Sequence, residues 1–280
     1  MTAATEGLSL NQATTRHWAT AEVIRGCAEA GIGGIGLWRD AVEQLGTARL
    51  ARLVRAAGLT VTSLCRGGFF TAADAPGRAA ALADNRRAIE QAAEVGAPVL
   101  ALVCGGLPPG GRDLPVARQQ VTDGIAALVP QAESCGVRLA IEPLHPMFCA
   151  DRSVVSSVAQ AAALAAPFPP AQVGIMVDSY HVWWDPAVAE SIVAAGPRIA
   201  GYQVSDWVSP LTGDVLMARG HIGDGCIDFA ALGGALRAAG YQGWTEVEIF
   251  NERVWATPGP ETLRTVVERY RRYLAGPAPG

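Results

Sequence analysis

The chain has no run of about 18 uncharged apolar residues, so nothing in it reads as a membrane span. Its N-terminus lacks a charged segment followed by an apolar one, so no secretory signal is expected. Clusters of basic residues are missing, and the net charge is −4 over 280 residues. That balance disfavours a nucleic acid or any other polyanion as partner. No GxGxxG follows the first strand-like run, which argues against a dinucleotide fold. No GxSxG elbow is present, and no cysteine has an obvious histidine partner, so a metal-independent hydrolase is disfavoured. The six cysteines, at 27, 65, 104, 135, 149 and 226, show neither CxxC nor CxxxC spacing. The expectation is free thiols in a reducing cytoplasm, packed as small apolar groups. Cys65 and Cys104 each end an apolar run and are candidates to line a cavity.

Half of the sequence is apolar and only 17% is charged, enough for a large core. Short apolar runs alternate with Ala/Arg/Glu-rich stretches of helical rhythm. The strand candidates are Leu8 to Asn11, Gly33 to Leu37, Thr60 to Leu64, Val99 to Val103, Arg138 to Ile141, Val173 to Val177, Ile199 to Val204 and Thr245 to Ile249. Helices are expected near 19–30, 46–57, 81–95, 117–135, 154–166, 187–196, 228–240 and 260–274. Gly31, Gly58, Gly136 and Gly240 stand just after a helix and before the next strand, as glycines that end helices do. Eight such units without a break in composition predict one α/β domain over 1–280, a single (β/α)8 barrel with its core at about 8–274. An open doubly wound sheet is the alternative. Met1 to Gly7 and Gly276 to Gly280, small and rich in Gly and Pro, are expected to be loose.

In such a barrel the active site lies at the carboxyl ends of the strands. Four successive strands end there on a polar residue: Glu142, Asp178, Gln203 and Glu248. Strand alternation puts Glu142 with Ala140, opposite Leu139 and Ile141, and puts Asp178 opposite Ile175 and Val177. A lone acidic strand end is ordinarily a helix cap or an ion pair. Four in a row are different, because three carboxylates and an amide gathered away from water need a counter-charge. A divalent cation is the expected one. Glu246, two residues before Glu248 and deeper on the same face, reads as a supporting group or a buried ion-pair partner.

The segments LAIEPLHP, VDSYHVWWDP, RGHIGDGCIDF and GYQGWTEVEIF resemble the xylose-isomerase-like barrel family of sugar and sugar-phosphate isomerases and epimerases, over about residues 8–274. Hydroxypyruvate isomerases, ketose 3-epimerases, inosose dehydratases and endonuclease IV are among its members. The resemblance implies one divalent metal held by Glu142, Asp178, Gln203 and Glu248. Gln203 stands where the family more often has His, and the hydroxypyruvate isomerase branch has Gln there. An all-oxygen shell favours Mn²⁺ or Mg²⁺ over Zn²⁺. Asp178 and His181 match the family's D-x-x-H pair, and Arg219 resembles its substrate-binding arginine ahead of the Gly223-Asp-Gly225 turn. No Gly-rich phosphate loop is clear after the last two strands, although that turn could serve as one.

His145, Trp38 and Arg66 are further candidates for substrate contact, and Trp183 and Trp184 could wall the pocket. His221 is a weaker candidate, and His17 reads as a surface residue. The reaction so implied is sugar isomerisation or epimerisation through a cis-enediolate, with Glu142 and Glu248 as the acid–base pair. The same site could run a dehydratase or lyase reaction on an oxidised sugar or C-glycoside, or could be an inactive sugar- or partner-binding barrel. A nuclease of this fold is disfavoured, since it needs several more metal-binding histidines than the four present. The family is often dimeric or tetrameric, and the chain carries no readable signal for a homo-oligomer.

Overall fold

A computed structural model describes residues 5–211 and 213–274. Eight parallel strands close into a barrel: β1 (Leu8–Asn11), β2 (Gly34–Trp38), β3 (Thr60–Gly68), β4 (Val99–Val103), β5 (Arg138–Glu142), β6 (Val173–Asp178), β7 (Ile199–Val204) and β8 (Thr245–Val247). Each lies beside its sequence neighbours, and β8 closes on β1. The chain is thus a single (β/α)8 barrel, and the open sheet is excluded. The outer helices are α1 (Thr20–Glu29), α2 (Arg39–Leu45), α3 (Thr47–Ala56), α4 (Ala75–Val95), α5 (Leu114–Ser134), α6 (Val158–Ala165), α7 (Ser179–Val182), α8 (Val188–Ala195), α9 (Phe229–Ala238), α10 (Glu252–Ala256) and α11 (Gly259–Tyr273). None of them is long and apolar enough to cross a membrane.

Alternation along the strands separates two cores. Leu8, Leu10, Ile35, Leu37, Leu100, Leu139, Ile141 and Ile175 point outward and are buried under the helices. Inside the barrel the apolar filling is small: Cys65, Val99, Ala101, Ala140 and Met176. The remaining interior is polar and centres on Glu246. Its carboxylate accepts from Asn11 Nδ2 at 2.7 Å, Gln203 Nε2 at 2.9 Å, Thr62 Oγ1 at 2.6 Å and Ser63 Oγ at 2.9 Å. Four neutral donors replace the water lost on burial, so Glu246 is not the ion-pair partner that one reading of the sequence allowed. A bulge makes this possible. Ile35 pairs with Val61 but Gly36 pairs with Ser63, so Thr62 is an extra residue and both hydroxyls reach the interior. Gly36 must be glycine for the same reason: a Cβ there would lie 2.4 Å from Glu246 Oε1.

The expected strands are present, and the turn glycines adopt the left-handed conformation, with φ of 71° at Gly58 and 67° at Gly136. Helix starts are less legible. α4 begins at Ala75 rather than near 81, because Asp74 caps it by accepting from Gly77 N and Pro76 fits the first turn. The short helices α2, α7 and α10 were not anticipated, since five to seven residues, or four in α7, carry too little rhythm to detect. At the N-terminus the expectation of a loose end is corrected for Thr5 to Gly7. Thr5 is buried, Glu6 O accepts from the Tyr270 hydroxyl at 2.7 Å, and Gly7 O accepts from Thr245 N at 2.8 Å. Residues 1–4 and 276–280 lie outside the described residues.

Candidate active site at the carboxyl ends of the strands

Glu142 ends β5, Asp178 ends β6, and Glu248 follows the last residue of β8, held by its backbone N–H to Val204 O at 3.0 Å. All three carboxylates are at least nine-tenths buried, at 6%, 0% and 4% exposed. Asp178 also caps α7, accepting from Tyr180 N at 2.9 Å, and that short helix carries His181 back toward the strand ends. One oxygen each from Glu142 and Asp178 and one nitrogen of His181 lie within 4.8 Å of one another. Glu248 joins them through Arg219. The Arg219 Nη1 donates to Asp178 Oδ2 at 2.7 Å and faces Glu248 Oε2 at 3.3 Å. Arg219 itself comes from a two-residue antiparallel ribbon, Asp206–Trp207 against Arg219–Gly220, that follows β7.

The electrostatics follow from this burial. Burial pushes the Glu142 carboxyl up to about 8, helped by neighbouring Asp178 and opposed by Arg219. Glu248 is driven well above the usual carboxylate range, again by burial first, against the pull of Arg219. Asp178 is raised as well, because burial outweighs its hydrogen bonds to Arg219 and Tyr180. Burial also works against the charge of Arg219, but Asp178 and Glu248 more than compensate and keep it cationic. His181 is pushed well below its ordinary value by burial and by Arg219, so it is neutral. Its Nδ1 faces the His145 amide at 3.2 Å and its Nε2 faces Arg219 Nη2 at 3.0 Å. Both neighbours are donors, and a neutral imidazole accepts at one nitrogen only. One of these two contacts is therefore not a hydrogen bond.

The donor set fits a divalent cation. Three buried carboxylates against one guanidinium leave two negative charges, and the raised carboxyl groups are what a buried acidic cluster shows when its counter-charge is incomplete. Gln203 adds a second sign: its Oε1 is buried without a hydrogen-bond partner while its Nε2 is committed to Glu246. The group gathered with the two carboxylates includes an imidazole nitrogen, so the shell need not be all oxygen, as the sequence had suggested.

A cavity of about 420 Å³ opens above these groups. Glu142, His181, Arg219, Glu248, Trp38, Cys65 and Arg66 line it. Trp38 is fixed by its indole N–H to Asn11 Oδ1 at 2.8 Å, which links the cavity wall to the Glu246 network. His145 is not brought onto the cavity wall. Its ring stacks on Trp207 with centroids 4.9 Å apart, and its Nδ1 accepts from Met147 N. Trp183 packs against Trp207 and Trp184 bonds to His181 O, so neither walls the cavity. Cys104 lies in the outer core, not in a cavity. His221 lies off the cavity wall and His17 is exposed. Gly223 and Gly225 are not free to cradle a phosphate, because both amides donate to Asp206 Oδ2, at 2.9 and 2.8 Å. Arg16, Arg152, Phe250 and Trp255 also line the cavity and were missed, since they sit in loops and a short helix without periodic pattern.

The model of the xylose isomerase-like TIM barrel family matches residues 24–273. No curated protein sequence matches the chain. Among solved structures, protein SMc04130 from Sinorhizobium meliloti 1021 is 47% identical, with a TM-score of 0.94 over 97% of this chain and 100% of that one. An IolI protein with a bound zinc atom is 21% identical, with a TM-score of 0.82 over 96% and 99%. D-Psicose 3-epimerase from Clostridium cellulolyticum H10, solved with D-tagatose, is 14% identical, with a TM-score of 0.77 over 96% and 99%. The last two are likenesses of fold.

Proposed function

The chain belongs to the xylose isomerase-like TIM-barrel family, and from that premise we propose that it is a divalent-metal-dependent isomerase or epimerase of a sugar or sugar derivative. The observation that carries this reading is the convergence of Glu142, Glu248 and His181 at the floor of one cavity at the carboxyl ends of the strands, with Asp178 buried beside them. Glu142, Asp178 and His181, with Glu248 and the free Gln203 Oε1, would hold the cation. When bound it would supply Lewis-acid polarisation of a substrate carbonyl and the neighbouring hydroxyl. The imidazole in the group moves the choice of metal toward Mn²⁺ or Zn²⁺ and away from Mg²⁺. That revises the preference for Mn²⁺ or Mg²⁺ drawn from an all-oxygen shell.

The chain's own residues do the rest. A C–H next to a carbonyl is acidic enough to lose its proton to a carboxylate placed at hydrogen-bonding distance. Glu248 takes that proton and Glu142 supplies one. Return to the other face of the same carbon inverts it, and delivery to the adjacent carbon interconverts aldose and ketose. Arg219, facing the cavity, holds a substrate oxygen and stabilises the enediolate charge. Covalent activation of a carbonyl as a lysine Schiff base is excluded, because the sequence contains no lysine. Elimination of a β-hydroxyl would share the first step and is separated by product analysis.

The test has two parts. The purified protein should carry or take up a divalent metal, and it should exchange a substrate carbon proton with D₂O when given a ketose panel. Glu248→Gln should lower kcat by about 10²-fold or more, the range of positioned acid–base catalysis. A near-normal kcat in that variant refutes the role given to Glu248.

A further inference from the structure

All 22 basic residues of the chain are arginines, and four of them, Arg16, Arg66, Arg152 and Arg219, line the one cavity above the strand ends. Arg219 is matched by Asp178 and Glu248. The others are not matched in this way. Arg66, on β3, makes no ion pair among the described residues, and its guanidinium carbon lies 4.2 Å from the Phe69 ring centroid. Arg152, in the loop after β5, has only the exposed Asp151 at 3.8 Å, a contact worth little in water. Arg16 lies over the Trp255 ring, 5.7 Å from its centroid.

Arg66, on β3, and Arg152, after β5, line the cavity on the same side as Glu142, while Glu248 and Arg219 line it from the β7–β8 side. Glu142 lies near enough to Arg66 to attract it through space, but among the described residues neither guanidinium has a carboxylate at ion-pair distance other than the exposed Asp151. The two oppose each other: burial first, and Arg152 next, disfavour the charge on Arg66. Holding like charges together in a half-buried wall is costly unless a ligand brings the counter-charge. The guanidinium fork is shaped for the paired oxygens of a carboxylate or phosphate. The backbone alternative is closed, since the Gly223 and Gly225 amides are already bound to Asp206.

We propose that the substrate is an anionic sugar derivative, and that Arg66 and Arg152 bind its carboxylate or phosphate at the end of the carbon chain away from the reacting carbonyl. This rests on the reading of the acidic floor as a sugar site. A cavity of about 420 Å³ is in the range that accepts a five- or six-carbon ligand with such a group.

The test compares three ligands that differ only at C6: D-fructose, D-fructose 6-phosphate and D-fructuronate. Binding is measured by calorimetry on the Mn²⁺-treated protein at fixed ionic strength. At least one anionic ligand should bind about 10-fold or more tighter than D-fructose, and the tighter of the two identifies phosphate or carboxylate. In the Arg66→Met/Arg152→Met double variant that ratio should fall below about 3-fold, while Arg25→Met, on the outer face of α1, keeps it. Equal or tighter binding of D-fructose by the wild type overturns the proposal, and so does a ratio that survives in the double variant. If none of the three binds, the ketose reading has failed and inorganic phosphate becomes the probe. A rise in Tm with phosphate that the double variant loses then supports the anion subsite, and no rise overturns it.

Discussion

Glu246 and Glu248 sit two residues apart on one strand face, and their surroundings differ in kind. Glu246 is held by the neutral donors of Asn11, Thr62, Ser63 and Gln203. Glu248 has only the shared Arg219 guanidinium and the other acidic groups, and burial drives its proton affinity up. The first arrangement suits a group that organises the barrel, the second one that exchanges protons or binds a cation. Glu246→Gln would turn an amide N–H toward one of those donors and leave it unpaired, at a cost of about 1–3 kcal/mol. Urea unfolding should show the loss as a lower midpoint, with kcat falling far less than in Glu248→Gln. An unchanged midpoint would mean that the hydroxyls and amides do not need the carboxylate. The sequence made the shared face of these residues legible through strand alternation. It could not reveal the donors, three of which come from residues over 180 positions away, two of them placed by the bulge at Thr62.

The connection after β7 shows how one element aims a side chain into the site. Asp206 accepts four backbone N–H groups, from Trp207, Gly223, Gly225 and Ile227. It ties down the turn that follows Arg219, and Gly225 has no room for a Cβ, which would meet Trp207 O at 2.1 Å. Asn251 adds a bond from its Nδ2 to Arg219 O at 2.8 Å. Asp206→Ala would leave those amides to water and loosen the ribbon. The expected result is faster hydrogen exchange at 223–227 and a KM raised several-fold through Arg219, with a smaller change in kcat. If exchange in this loop is as slow as in the wild type, Asp206 does not anchor it. Strands, turn glycines and most helices were legible because period and punctuation are local signals. The Gly223-Asp-Gly225 turn stayed open to a phosphate-binding role in the sequence because its partner, Asp206, lies 17 residues before Gly223 and only the fold brings the two together.

At the scale of the whole molecule, closure of the barrel assembles the site, since no single unit supplies more than two of its groups. The repeat of eight units made that closure legible, and it placed Glu142, Asp178 and Glu248 at one end. Gathering them in a buried floor links folding to protonation and to metal. Folded Glu142 gives up its proton near pH 8, against about 4.5 for an ordinary glutamate, because burial and Asp178 outweigh Arg219. Asp178 and Glu248 are shifted in the same direction. Between those two values the folded chain holds protons that the unfolded chain has released, so stability falls as pH rises through the window. A divalent cation supplies the missing positive charge when the protons leave, so its stabilising effect should grow over the same range. The prediction is read by thermal unfolding from about pH 5.5 to 8. EDTA-treated protein should lose Tm as pH rises, and saturating Mn²⁺ should raise Tm more at the upper end than at the lower. A metal-free Tm that is flat or rising across the window, with a Mn²⁺ increment independent of pH, would show that these carboxylates carry no unbalanced charge and that the cation site proposed here is not one.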